Sequence, residues 1–126
     1  MSLEQGMYVS MVELFLVSLG GAIGACIRYS LGEWIKEKKI SVLITTIAMI
    51  NIVGSTLLGV ALGLSLTVKL ELFTVSLLGG FTTFSTFSLE AYEFFRAKEW
   101  RKATAYIAVS IVGSLLGFSL VILFFL

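Results

Sequence analysis

Gly79-Gly80-Phe81-Thr82-Thr83-Phe84-Ser85-Thr86-Phe87-Ser88 stands in the middle of an otherwise apolar block that runs from about residue 70 to 95. As a helix such a block crosses a hydrocarbon core of roughly 30 Å, for which about 20 residues suffice. Two glycines and five hydroxyl side chains at mid-span do not belong to a plain membrane helix. Paired glycines weaken a helix, and Thr and Ser oxygens accept hydrogen bonds from the backbone N–H groups that a helix end leaves unpaired. The stretch therefore predicts a helix that stops and restarts. Irregular backbone at membrane depth is tolerated only where it is buried in protein or lines an aqueous site, so the break points to an ion or substrate site near the midplane.

Three further apolar blocks flank this one, at about residues 7–34, 40–67 and 100–126. With the block at 70–95 they predict a single all-α transmembrane domain of four helices over residues 1–126, the third helix broken mid-membrane. Composition agrees. Of 126 residues 58% are hydrophobic and 13% charged, with no proline, and the mean hydropathy is +1.03, whereas a soluble domain is nearer half apolar and a quarter charged. Runs such as Val109 to Leu126 lack the strict alternation of a membrane barrel strand. The first block is too long for a signal peptide, carries Glu13 and Arg28, and has no basic region before it, so it is expected to be retained.

Cys26 is the lone cysteine and histidine is absent, which removes a disulfide framework, a zinc site and a Cys/His nucleophile from any one chain. The chain is accordingly not read as an enzyme. A net charge of +1 gives no attraction to nucleic acid. The distribution of charge says more. Four spans put the first and third loops on one side, with Lys36, Lys38, Lys39, Arg96, Lys98, Arg101 and Lys102, and leave only Lys69 in the second loop. The positive-inside rule makes the basic side cytoplasmic, with both termini outside. Gly20 and Gly24, Gly59 and Gly63, and Gly113 and Gly117 each clear one helix face for close approach. One four-helix bundle has little interior for a polar path, so these faces also suggest oligomerisation.

On a helix Phe84 and Phe87 project to one face, with Ser85 and Ser88 on a second. An aromatic ring has a positive edge, so a dehydrated anion can rest against ring edges while taking hydrogen bonds from hydroxyls opposite. Phe as packing and Ser/Thr bonding back to the preceding turn is the alternative. The segment from Gly79 to Ser88 resembles the signature of the bacterial fluoride channel family, also described as camphor-resistance proteins. The resemblance continues in Gly20-Gly21-Ala22-Ile23-Gly24-Ala25-Cys26-Ile27-Arg28-Tyr29 of the first block, in Asn51-Ile52-Val53-Gly54-Ser55 of the second and in Gly113-Ser114 of the fourth.

The resemblance implies an antiparallel, dual-topology dimer in the bacterial inner or plasma membrane, with two pores that let fluoride leave the cytoplasm passively and so relieve its toxicity. In that family's terms Phe84 and Phe87 contact the ion, Ser85, Thr86 and Ser114 form a hydroxyl track, Asn51 is an amide donor, Tyr106 is a phenol near one end, and Arg28 lies near a pore mouth. It also implies a structural Na+ at the dimer interface, held by the backbone carbonyls of Gly79 and Thr82. One turn beyond Ser114, where some relatives carry another hydroxyl, this chain has Phe118. Glu90 is expected to play a structural part, hydrogen-bonding Tyr106 or nearby hydroxyls.

Two other classes fit parts of the pattern. A proton-coupled small multidrug exporter would use Glu13 in the first helix, but has no place for the segment at 79–88. A non-transporting membrane assembly subunit would use the glycine pairs and leave the mid-membrane hydroxyls without a purpose. The partners expected are fluoride, the lipid bilayer and a second copy of the chain. The one-sided Lys and Arg bias also leaves room for a heterodimer with a homologous chain inserted the opposite way.

Overall fold

The computed structural model describes residues 10–37 and 46–126. Its helices are α1 (Met11–Glu37), α2 (Thr46–Gly63), α3 (Val68–Phe81), α4 (Phe84–Arg96) and α5 (Trp100–Phe125). Among the described residues, four stretches are long and apolar enough to cross a membrane, with α3 and α4 together making one of them. Even α2, with 18 residues, reaches about 27 Å at 1.5 Å per residue.

Helix ends follow from local chemistry. At the start of α1, the Ser10 N–H donates to Glu13 Oε2 at 3.2 Å and the Glu13 N–H donates to Ser10 Oγ at 3.1 Å. This reciprocal capping box satisfies two amides that have no partner within the helix. Glu13 is thus employed at a helix end. The second span, expected over 40–67, lies outside the described residues up to 45, and its helix ends at Gly63 rather than at 67. The chain turns there through Ser65, in the left-handed region at φ 51°. Lys98, at φ 58°, ends α4 in a Schellman-type reversal in which the Glu99 N–H donates to the Phe94 carbonyl at 3.0 Å.

The small residues decide which helices meet. A Cβ on Gly24 would run into the Leu77 carbonyl, and one on Gly80 into the Gly21 carbonyl, so α1 and α3 are in backbone contact. A Cβ on Gly117 would strike Thr56 Oγ1, one on Gly113 the Ile52 side chain, and those on Gly59 and Gly63 residues of α5. The α2–α5 pair is built in the same way. All three glycine pairs are therefore occupied within one chain, so they are not the features that call for oligomerisation. Where α4 meets α2 and α5, Ala48, Phe87, Ala91 and Tyr106 form a small buried cluster with Ile47, Phe94 and Ile107 around it. This cluster backs the site described next.

Candidate functional site

The break falls where Gly79-Gly80 and the hydroxyl run lead one to expect it. Thr82 and Thr83 are extended, at φ −80°, ψ 160° and φ −150°, ψ 125°. Thr82 closes α3: its N–H donates to the Leu78 carbonyl at 3.0 Å, and its hydroxyl donates to the same oxygen at 3.1 Å. Thr83 opens α4 as its N-cap, with Oγ1 accepting from the Thr86 N–H at 3.2 Å. The Thr83 N–H does not return to α3 but donates to Asn51 Oδ1 at 2.8 Å. The Gly79 carbonyl consequently loses its helical donor and, among the described residues, meets the Thr82 hydroxyl at 3.3 Å.

An open groove of about 320 Å³ runs along this break, walled by Phe84 and Phe87 on α4, Asn51 and Ser55 on α2, Thr82 and Thr83 at the break, and Ser110 and Ser114 on α5. The Phe84 and Phe87 rings lie 5.8 Å apart, tilted by 40°. Phe87 is backed by Tyr106, stacked at 5.3 Å, and the Tyr106 hydroxyl donates to Glu90 Oε2 at 2.6 Å. Ser110 is 3% exposed, and its Oγ has no hydrogen-bond partner among the described residues. Other mid-helix hydroxyls, those of Ser18, Thr56, Thr74, Ser88 and Thr104, donate to the carbonyl four residues back.

A second cavity of about 510 Å³ lies beyond the first, lined by Arg28, Tyr29, Gly32 and Glu33 of α1, Thr46 and Ile47 of α2, and Thr86 and Glu90 of α4. Arg28 Nε is buried there without a hydrogen-bond partner among the described residues. The two spaces are joined by hydroxyls, since Thr83 Oγ1 of the groove lies 3.4 Å from Thr86 Oγ1 of the cavity. Ring edges and hydroxyls are what a small dehydrated anion can use, and the cavity sets Arg28 beside the carboxylates of Glu33 and Glu90. Among the described residues, no group of three or more Cys, Asp or Glu could hold a metal.

The profile of the family described as CrcB-like protein, Camphor Resistance (CrcB), matches residues 15–122. The chain belongs to the CrcB-like family. A relative from Shouchella clausii, named fluoride-specific ion channel FluC 2, is 47% identical over 106 residues, covering 83% of this chain and 93% of its own. Fluoride-specific ion channel FluC 1 of Halalkalibacterium halodurans is 36% identical, with 86% of this chain and 94% of its own covered. Fluoride-specific ion channel FluC of Chloroflexus aurantiacus is 37% identical, with 84% and 89% covered.

Within this CrcB-like chain the residues expected from the sequence do not all stand together. Phe84, Phe87, Asn51, Ser114 and Thr82 line the groove, while Thr86 and Arg28 line the cavity. Ser85 lines neither, but its Oγ lies 3.2 Å from Thr83 Oγ1. Tyr106 is buried behind Phe87 and bound to Glu90, the partnership expected of Glu90. Gly79 faces outward with nothing within 4 Å of where a Cβ would stand. Ser110 and Thr83 were not expected. Ser110 was discoverable, because Tyr106, Ser110 and Ser114 repeat at four-residue steps along one face of α5. Nothing in the spacing marks Thr83 among its neighbouring hydroxyls.

Proposed function

We propose that this chain is a fluoride channel that exports the ion passively across the cytoplasmic membrane; its relatives named fluoride-specific ion channels support the ion and the channel class. The observation that carries the reading is the Ser110 hydroxyl, buried and unpartnered in a groove walled by two phenylalanine rings. A buried polar group without a partner is costly, and an anion in the groove supplies the missing acceptor. A narrow, largely apolar path suits a small anion that gives up its water to ring edges and hydroxyls. In the adjoining cavity Arg28 offers N–H donors beside the carboxylates of Glu33 and Glu90. No ATP or coupled proton enters the scheme. Glu13, the residue an exporter would need, is held in a helix cap.

The functional unit we infer is an antiparallel dimer of the chain. The groove opens on the outside of the bundle, where Phe84 is 78% exposed and hydroxyls at membrane depth would otherwise face lipid. A second copy covers it and completes the wall. Gly79 supports this, as an open, outward glycine lets another backbone approach closely. The Gly79 carbonyl, freed by the break, and that of Thr82 fit a hard cation such as Na+, which takes oxygen ligands of this kind. Bound between two copies, the ion would neutralise carbonyl dipoles and tie the two breaks together. The test is reconstitution of this chain alone in liposomes loaded with fluoride, with efflux followed by electrode after a potassium ionophore removes the opposing potential. Fluoride is expected to leave without a proton gradient and chloride to stay. Efflux that needs an imposed proton gradient would end the channel reading.

A further inference from the structure

The Asn51 carboxamide is already engaged. Its Nδ2 donates to the Thr83 carbonyl at 2.9 Å, and its Oδ1 accepts from the Thr83 N–H at 2.8 Å. Both backbone groups of one extended residue are paired, as an adjacent antiparallel strand would pair them. The amide orientation is fixed by this chemistry, because the reverse would set NH2 against N–H and oxygen against carbonyl. Thr83 is 9% exposed, so either group left unpaired at this depth is unfavourable. The side chain of the same residue then organises the hydroxyls that follow. Thr83 Oγ1 accepts from the Thr86 N–H and lies 3.2 Å from Ser85 Oγ and 3.4 Å from Thr86 Oγ1.

We infer that Asn51 is a positioning residue: it governs conduction by clamping the Thr83 peptide, and through it the hydroxyls of Thr83, Ser85 and Thr86, rather than by ligating the ion. An asparagine amide has two donor hydrogens and one oxygen acceptor. With the oxygen and one hydrogen committed to Thr83, at most one hydrogen remains for an anion. The clamp also explains why the break sits between Thr82 and Thr83. Asn51 takes the N–H that would otherwise continue α3, so the helix ends at Phe81 with Thr82 as its C-cap.

The inference rests on the channel reading for its functional half, and two measurements separate the two. Backbone hydrogen exchange on the full chain in detergent tests the clamp without any flux. The Thr83 amide is expected to be protected in the wild type and to exchange at least about tenfold faster in Asn51→Ala, with the Leu116 amide of α5 unchanged; an unchanged Thr83 rate overturns the clamp. The second measurement is a double-mutant cycle on fluoride efflux from liposomes with Asn51→Ala and Thr83→Val. Each substitution is expected to slow efflux by about tenfold or more, and the pair to fall within about threefold of the slower single variant. Losses that multiply, or an Asn51→Ala chain that conducts normally, would show that Asn51 does not act through Thr83.

Should Asn51→Ala fail to fold, Asn51→Asp takes its place, since it keeps size and the acceptor for the Thr83 N–H. Thr83 amide protection is then retained while the Thr83 carbonyl carbon shifts in the NMR spectrum. A carbonyl resonance that stays in place overturns the inference. A wild-type chain that passes no fluoride ends the channel reading, and the exchange rates still decide the clamp.

Discussion

The hydroxyl of Ser110 separates a structural from a functional role with one substitution. A buried unpaired donor costs about 1–3 kcal/mol, so Ser110→Ala is expected to leave thermal stability in detergent unchanged or higher, while fluoride efflux falls about tenfold. A stability loss with normal efflux would make Ser110 a packing residue. The two phenylalanines divide in the same manner. Phe84 is mostly exposed, so Phe84→Ile is expected to reduce efflux without destabilising the chain. Phe87 is stacked on Tyr106, and Phe87→Ile also forfeits about 0.5–1.5 kcal/mol of ring contact. Normal efflux in both isoleucine variants would mark the ring stripe as core. Sequence carries such roles unevenly. The rings and hydroxyls at 79–88 stand out because polar residues are rare at mid-span, whereas a single serine in an apolar run looks like the many that bond back one turn. The partner of Asn51 lies 32 residues away and leaves no trace in local spacing.

Among the helices, the α1–α3 pair depends on absent side chains. A methyl on Gly24 would enter the Leu77 carbonyl and crowd the Phe81 nitrogen, 2.8 Å from the new carbon. Gly24→Ala is therefore expected to destabilise the chain by about 1–3 kcal/mol, as overpacking does, seen as a lower unfolding temperature. Gly79→Ala tests the opposite case. No neighbour stands within 4 Å, and alanine in place of a helical glycine gains about 0.5–1 kcal/mol. The single chain is expected to be as stable or more so, while dimers dissociate at lower dilution because the second backbone no longer fits. Unchanged association would remove Gly79 from the interface. The glycine pairs were legible as close-packing faces, but which helix each one meets was not, since four-residue spacing gives a face and no partner. The break itself was legible because two glycines and a cap residue adjoin.

Orientation is a property of the whole molecule, and here charge and architecture pull apart. Arg96, Lys98, Arg101 and Lys102 crowd the α4–α5 end, with Lys69, in the first turn of α3, alone at the α2–α3 end. Such a bias favours one direction of insertion, whereas an antiparallel pair of identical chains needs both. Cys26 is exposed, so the experiment starts from Cys26→Ser and adds single cysteines beside Lys69 and beside Lys98. With an impermeant thiol reagent on intact cells, each site is expected to label to about half. Full labelling beside Lys69 and none beside Lys98 would mean fixed insertion and a second, oppositely inserted chain as partner.

The clamp between α2 and the break also sets an order of assembly. Residues 68–96 are together long and apolar enough for one membrane span, and unless α2 lies alongside, the Thr83 peptide has no Asn51 to bind. In that interval the backbone satisfies itself most readily by remaining helical through Thr83. The discontinuity at mid-membrane would then be absent from the newly inserted chain and appear only as the helices dock. On that account the newly inserted chain would be a closed rod, and the site would form only with tertiary structure.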